Sequence, residues 1–411
     1  MNQASPRLIV TCDEPPCPPF NGNNRKSFEV IEALRGDFDI HVLTYPVDDS
    51  DWKKLQEHWR SRGVTCHRLY RRMAKRYQRL LTSGLSLPTV TRDFSSEARL
   101  VKLLHQEVPK SQLLIDFISG APLLREFNGC GTVLSGHDCM SYLFEQEGRF
   151  ASCLRDKLYL RLRRRFALNA EKRFAHLSAR THVVSSQDAA ELRRINPRAR
   201  TTVIPIGGDE ADTASLRPMN QRHLRIIWGS LGSGLILSGL RRIFNIAQRE
   251  DTTALQGWTL IGRVPEAETR TLLPELDSLG VTYLAQVDDI DMLLSDTIAL
   301  LLPDIGGTGQ KNRALDGLRH GCCVFGMAEV FRGIESPGSR AFVSCNDYET
   351  LVRSVSNIDQ WPCEDIGKRA MQLFVSNFSR PVLAAQWRAL LSSIGWLEPT
   401  NPTSSHLCAF H

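Results

Sequence analysis

At 411 residues, 42% hydrophobic and 23% charged, the chain has room for two globular cores, and no apolar run approaches the roughly 20 residues that cross a bilayer. The short apolar stretch ending at Cys12 lacks the length and flanks of a signal peptide, and the 11 scattered cysteines match no zinc or redox spacing, so a cytoplasmic protein with reduced thiols is expected. Residues 1–204 carry 33 Lys+Arg against 22 Asp+Glu, a surplus of +11, and the rest carries 18 against 23, or −5, so the halves are expected to meet different partners.

Short apolar β-type runs alternate with helical patterns along the chain, as in βα units around parallel sheets. In the first half strands are predicted at Arg7–Cys12, Asp39–Thr44, Val64–Leu69, Gln112–Ile118, Gly131–Ser135, Arg180–Ser185 and Thr201–Ile206. A helix over Gln187–Ile195 has a capping pair in Ser185 and Asp188. The turn-rich stretch from Pro205 to Pro218 has no period and reads as an inter-domain connection. The second half predicts strands at Leu224–Gly229, Trp258–Val264, Val281–Val287, Ile298–Pro303, Cys323–Gly326 and Ala341–Ser344. Terminal helices follow over Glu364–Asn377 and Pro381–Ile394. The expected division is an N-terminal domain over 1–205, a linker over 206–222, a C-terminal domain over 223–380, a helix over 381–398 returning to the first domain, and a loose tail over 399–411. Both domains are expected to be doubly wound and Rossmann-like, facing a cleft where ligands bind.

The most informative segment runs from Pro303 through Asp304, Ile305, Gly306, Gly307, Thr308, Gly309 and Gln310 to Lys311, Asn312, Arg313 and Asp316. It joins a strand to a helix through three glycines, which let backbone N–H groups approach an anion at the positive end of the helix. Lys311 in the first turn opposes the helix dipole unless an anion is bound there. Asp316 on the same helix can accept hydrogen bonds from ribose hydroxyls. A structural turn and a solvated helix charge are the alternative readings of these residues.

This segment resembles the Gly-x-Gly-x-Lys-Asn-Lys-x-Leu-Glu-Ala-hydrophobic-Ala-x-Gly stretch of family-four retaining glycosyltransferases of GT-B fold, the branch that makes surface polysaccharides in particular. Other stretches agree in order. Pro18 to Arg25 resembles that family's Pro-Pro-x-x-Gly-Gly-x-x-Arg loop, Ala170 to Arg173 its Tyr-Glu-Arg-Arg helix, Val183 to Asp188 its Val-Val-Ser-Glu-x-Asp segment, and Val203 to Asp209 its Val-Ile-Pro-Asn-Gly-Val-Asp. Departures are Asp316 for the second glutamate, Thr308 for the first, Asn23 for the second glycine of the N-terminal pair, and no basic residue in Ser230–Gly234. The resemblance implies transfer of a sugar from a nucleoside-diphosphate sugar to a hydroxyl acceptor with retention. It places Gly306, Gly307, Thr308, Gly309, Asn312, Gly232 and Gly22 around the donor, with His137, Lys311 and Asp316 as the reacting set. His137 is carried over as the histidine that contacts the transferred sugar, the alternative being a loop histidine that caps the next helix with Asp138. No cofactor beyond the co-substrate and no metal is expected. Asp288-Asp289-Ile290-Asp291 opens a helix, where acids suit the dipole. A non-catalytic nucleotide-sugar binder and a sugar-nucleotide epimerase are the rival functions.

Two arginine-rich blocks stand in the N-terminal half, Arg60 to Arg79 and Arg155 to Lys172. In the second, Leu154, Leu158, Leu162 and Phe166 recur every fourth residue, as in an amphipathic helix on anionic lipid or in an ordinary core-facing helix with a solvated face. A membrane-linked or otherwise anionic acceptor fits these blocks, with the protein peripheral on the inner face of a membrane. Nucleic acid is the lesser option, because no base-reading module is present. The sequence leaves donor sugar, nucleobase, acceptor and oligomeric state open.

Overall fold

A computed structural model describes residues 5–18, 22–71, 92–151, 153–212, 216–250, 253–334 and 338–397. The N-terminal sheet contains β1 (Arg7–Cys12), β2 (Asp39–Thr44), β3 (Thr65–Arg68), β4 (Gln112–Asp116), β5 (Gly129–His137), β6 (Ser178–Val183) and β7 (Thr201–Val203), in the order β3-β2-β1-β4-β5-β6-β7. The second contains β8 (Leu224–Trp228), β9 (Thr259–Ile261), β10 (Thr282–Leu284), β11 (Thr297–Leu302), β12 (Cys323–Met327) and β13 (Val343–Cys345), in the order β10-β9-β8-β11-β12-β13. Neighbouring strands run parallel in both. Central strands such as Thr-Ile-Ala-Leu-Leu-Leu of β11 are apolar throughout because helices cover both faces. The strand runs read from the sequence are all present, displaced by up to a few residues at their ends. The strand order reverses once in each sheet, between β1 and β4 and between β8 and β11, opening a crevice at the carboxyl ends of those strands.

Helices α1 (Gly22–Leu34), α2 (Asp49–Arg60), α3 (Phe94–Glu107), α4 (Met140–Phe150), α5 (Leu154–Phe174) and α6 (Ser186–Ile195) belong to the first sheet's part of the chain. With the second sheet come α7 (Gly234–Arg249), α8 (Glu266–Ser278), α9 (Ile290–Ser295), α10 (Asn312–Arg319), α11 (Tyr348–Ser356) and α12 (Cys363–Phe378). The last described helix, α13 (Arg380–Ser393), buries Leu383, Trp387, Leu390 and Leu391 in one cluster with Phe28, Ile31 and Leu34 of α1. The stretch after Pro399 lies outside the described residues, as does the first arginine block beyond Arg71.

The chain crosses between the sheets twice, and the two crossings are hydrogen-bonded to each other. Gly208 N donates to Phe378 O at 3.0 Å, and Arg380 N donates to Gly208 O at 2.8 Å. Gly207 lies so close that an added Cβ would stand 1.7 Å from Phe378 O, a clash that backbone cannot relieve. Arg380 then reaches Asp209 at 2.5 Å and the buried Glu29 of α1 at 3.1 Å. One guanidinium thus ties the linker, α13 and α1 together.

The α4–α5 pair positions the turn after β5. Glu171 of α5 is buried under the start of α4, and its Oε1 accepts Ser141 N at 3.1 Å. Burial pushes its carboxyl up from 4.5 to about 7, against the opposing pull of its hydrogen bonds. The folded chain therefore holds this proton more tightly than the unfolded one. The associated stability is full below the unfolded value and is lost as pH rises through about 7. Glu171→Gln keeps an acceptor and removes the titration, so the native protein should lose on the order of 3 kcal/mol relative to this variant between about pH 4 and 8. Denaturant unfolding at a series of pH values measures it. A stability difference independent of pH would contradict this role.

Candidate functional site

The first two turns of α1 grip three carboxylates. Arg25 Nη1 and Nη2 each donate at 2.8 Å to the two oxygens of Asp316, 291 residues away on α10. Lys26 Nζ lies 2.9 and 3.0 Å from the oxygens of Asp138, and Ser27 Oγ donates to Asp116 Oδ2. A helix start carrying Arg25 and Lys26 and no acid opposes its own dipole, a cost these acids offset.

His137 ends β5 at a register shift in the β5–β6 pairing, with φ of 60°. Such irregularities re-aim side chains at functional edges. Its ring is 1% exposed, and Nε2 lies 2.5 Å from Asp116 Oδ1. Burial alone raises the Asp116 carboxyl, but the His137 imidazole and the His137 and Ser27 hydrogen bonds outweigh it and hold the carboxyl below its ordinary value. An ionised Asp116 accepts a hydrogen bond from Nε2–H, and Nδ1 of His137 is buried without a hydrogen-bond partner among the described residues. Behind it His182 pairs with Ser135 Oγ at 2.9 Å and with Ile204 O at 2.8 Å. Burial lowers its pKa to about 3, so it is neutral scaffolding. A cavity of about 10 Å³ lies against Lys26, Glu29, His137 and His182, the room of about one water.

From the second sheet, the glycine-rich turn between β11 and α10 faces these groups. Gly307 has φ of 116° and Gly309 φ of 63°, conformations that favour glycine. A Cβ on Gly309 would also stand 2.0 Å from Asp138 Oδ1. The turn's N–H groups find their acceptors on the first sheet's side: Gly307 N donates to Gln146 Oε1 of α4 at 2.6 Å, and Gly309 N to Asp188 Oδ2 of α6 at 2.9 Å. Ser185 caps α6 by accepting Asp188 N at 3.1 Å. The Asp188 carboxylate accepts the Ser185 hydroxyl in return and also takes Gly309 N and Cys139 N. Burial and the nearby Asp138 raise its pKa.

Lys311 is the N-cap of α10, and its Nζ folds back to Thr308 O at 3.3 Å. Burial lowers its pKa, opposed chiefly by Asp304. Thr308 Oγ1 and Asn312 Oδ1 are buried with no partner among the described residues. Gly306 packs against Gln146, whose Oε1 would stand 2.7 Å from an added Cβ, while Gly232 faces open space. Gly22 begins α1. Asp289 caps α9 through Met292 N at 2.9 Å, and Asp291 pairs with Arg319.

The structure thus brings His137, Asp316 and the Gly306–Asn312 turn to one interface, lined also by Arg25, Asp116, Gln146 and Asp188. The sequence set Arg25 in a stretch resembling a loop that lies against the reacting groups, and gave Asp116, Gln146 and Asp188 no role at the site. Asp116 had a signal, a lone carboxylate ending an apolar parallel strand; Gln146 had none. Although the Ser230–Gly234 loop has no basic residue, Arg313 stands beside its start, donating to Trp228 O at 2.6 Å and to Asp304 at 2.8 and 3.1 Å. Arg332 donates to Gly307 O at 2.6 Å.

No family model matches the chain, and no curated protein matches it in sequence. Solved structures do. Sucrose-phosphate synthase from Thermosynechococcus elongatus matches with a TM-score of 0.68 over 95% of this chain and 99% of that one, at 15% identity. The Anabaena protein HepE, in complex with UDP-glucose, matches with a TM-score of 0.64 over 94% and 99%, at 12% identity. The α,α-trehalose 6-phosphate synthase of Burkholderia multivorans gives 0.61 over 95% and 99%, at 13% identity. At such identities the likeness establishes the fold: two doubly wound sheets in the GT-B arrangement.

The Arg25–Asp316 fork should be measurable as a coupling between the two halves. In a double-mutant cycle of Arg25→Ala and Asp316→Ala, each single change strands a largely buried charge, so the two should be non-additive by about 1–3 kcal/mol in unfolding free energy. Additivity within about 0.3 kcal/mol would mean that the fork does not hold the halves together in solution.

Proposed function

We propose that the protein is a glycosyltransferase that moves a sugar from a nucleoside-diphosphate sugar to a hydroxyl acceptor, with retention. The observation that carries this reading is that polar capacity is left unused where the two halves meet. His137 Nδ1, Thr308 Oγ1 and Asn312 Oδ1 are buried without a partner among the described residues, and their meeting at this one interface leaves hydrogen-bonding capacity for a ligand's polar groups. The N–H groups of Gly307 and Gly309 are paired only to side chains from the opposite half, which a donor's oxygens replace when the cleft opens. UDP and UDP-glucose are the first donors to test, because Anabaena HepE has been solved with both.

In this reading the donor occupies the turn and α10. Asp316 exchanges Arg25 for the ribose hydroxyls, and the freed Arg25, with Lys311, meets the diphosphate. As the C1–O bond breaks, negative charge gathers on the leaving diphosphate, and these cations and the turn's N–H groups stabilise it in a cleft that excludes water. His137, fixed by Asp116, orients the sugar. The acceptor proton passes to the departing phosphate oxygen, so no strong protein base is required. No metal or other cofactor enters this scheme. The basic N-terminal half supplies the acceptor side, suited to an anionic or membrane-linked acceptor.

Thr308, a hydroxyl where the family has a carboxylate, favours a second reading as a binder without turnover. Incubation with a panel of nucleotide sugars, with and without cell extract, separates the readings. Transfer needs extract, an epimerase acts without it, and a binder changes nothing.

The site residues should fail in different ways. Lys311→Ala should weaken nucleoside-diphosphate binding and slow transfer, by about 2–4 kcal/mol in the transition state. Asp316→Asn should mainly weaken donor binding, whereas His137→Ala should leave nucleoside-diphosphate affinity nearly intact and lower turnover. Calorimetry beside single-turnover rates measures all three. Loss of nucleotide binding in His137→Ala with none in Lys311→Ala would reverse the assignment of donor and acceptor halves.

A further inference from the structure

The outer face of α5 has a composition that the proposed reaction does not use. Leu154, Leu158, Leu162 and Phe166 are 72, 55, 38 and 39% exposed, although the helix buries Ala167, Ala170 and Phe174 on its other side. At four-residue spacing each step turns about 40° further round the helix, so the row sweeps roughly 120° of the outer face. It is therefore not a misread core stripe: the core of α5 is filled by different residues. Scattered exposed leucines need no explanation, but a contiguous row on one helix does.

Basic residues flank that row. Arg155, Lys157, Arg161 and Arg165 are exposed and form no ion pair among the described residues, while the acids of the helix are Asp156 in its first turn and the buried Glu171. Between α4 and α5 lies a cavity of about 220 Å³ lined by Gly148, Arg149, Lys157, Arg161 and Arg164, with Glu145 as its one acid. Glu145 is spent on Arg149 at 3.0 Å and Arg164 at 2.8 Å, which leaves Lys157 and Arg161 free to meet an anion. An apolar row beside an arginine-rich cavity matches an acyl and headgroup boundary in both chemistries. A nucleic-acid backbone would use the cations and leave the leucines in water.

We propose that α5 lies on a bilayer of anionic phospholipid, with Leu154, Leu158, Leu162 and Phe166 in the acyl boundary and a headgroup phosphate at Lys157 and Arg161. This holds whether or not the donor reading is right. The surface adjoins the cleft: α4 begins three residues after His137, its Gln146 reaches Gly307 N at 2.6 Å, and Phe150 O would stand 3.1 Å from a Cβ on Gly234. An acceptor carried in the membrane would thus arrive beside the opening.

The experiment is co-sedimentation of the full chain with equimolar phosphatidylglycerol–phosphatidylcholine vesicles and with pure phosphatidylcholine vesicles, at about 0.1 M salt, where charges reach about 10 Å. Binding is expected to the anionic vesicles only. Lys157→Gln/Arg161→Gln/Arg165→Gln should lower the partition coefficient about a hundredfold, and Leu158→Ser/Leu162→Ser about tenfold or more. Because all five side chains are exposed, thermal melting should be unchanged in both variants, and so should UDP binding by calorimetry, which keeps this test separate from the donor reading. Failure of the native protein to sediment with anionic vesicles would overturn the proposal. So would unaltered vesicle binding by the leucine variant, or binding to duplex RNA as tight as to vesicles and lost only in the cationic variant, which would mark a polyanion surface instead.

Discussion

The N–H groups of Gly307 and Gly309 point out of a glycine turn into the space between two sheets, and buried donors of this kind must be paired. Here Gln146 and Asp188 of the opposite half pair them, and the same approach presses the Asp138 carboxylate against Gly309. The closure of the halves and the chemistry of the turn are therefore one constraint. Whatever takes those N–H groups competes with contacts that hold the halves together. Arg25 and Asp316 repeat the arrangement with full charges, a guanidinium from α1 holding a carboxylate of α10.

Closure also depends on the crossings. Gly207 and Gly208 lie against Phe378–Arg380 with no room for a side chain at Gly207, and Arg380 links this junction to Glu29 on the helix that carries Arg25 and Lys26. The junction between the halves is thus one ion pair away from α1. Its three carboxylate partners lie on different elements: Asp116 ending β4, Asp138 after β5, and Asp316 on α10. A shift of α1 would release Asp316 first, since the other two belong to its own sheet.

Much of the fold was legible because parallel strands buried on both faces must be apolar runs, and Thr297–Leu302 or Leu224–Trp228 could hardly be anything else. The turn was legible because three glycines before a helix imply a close backbone approach. Partner identity was not. Nothing local tells Asp188, an acid in the first turn of α6 beside its Ser185 cap, to share its carboxylate with Gly309 N, 121 residues away. Lys311 reads as a free point charge, yet it folds onto Thr308 O, because its own turn offers a carbonyl nearer than solvent. The leucine spacing of α5 was equally visible, but periodicity fixes only that the residues share a side, and packing decides which way that side faces.

In the proposed reaction a nucleotide-sugar donor takes over the N–H groups of the glycine turn. A crystal structure of the complex with UDP-glucose tests it most directly. Donor oxygens should replace Gln146 Oε1 and Asp188 Oδ2 on Gly307 N and Gly309 N, with Arg25 withdrawn from Asp316. A donor bound elsewhere, with those cross-cleft hydrogen bonds intact, would contradict it.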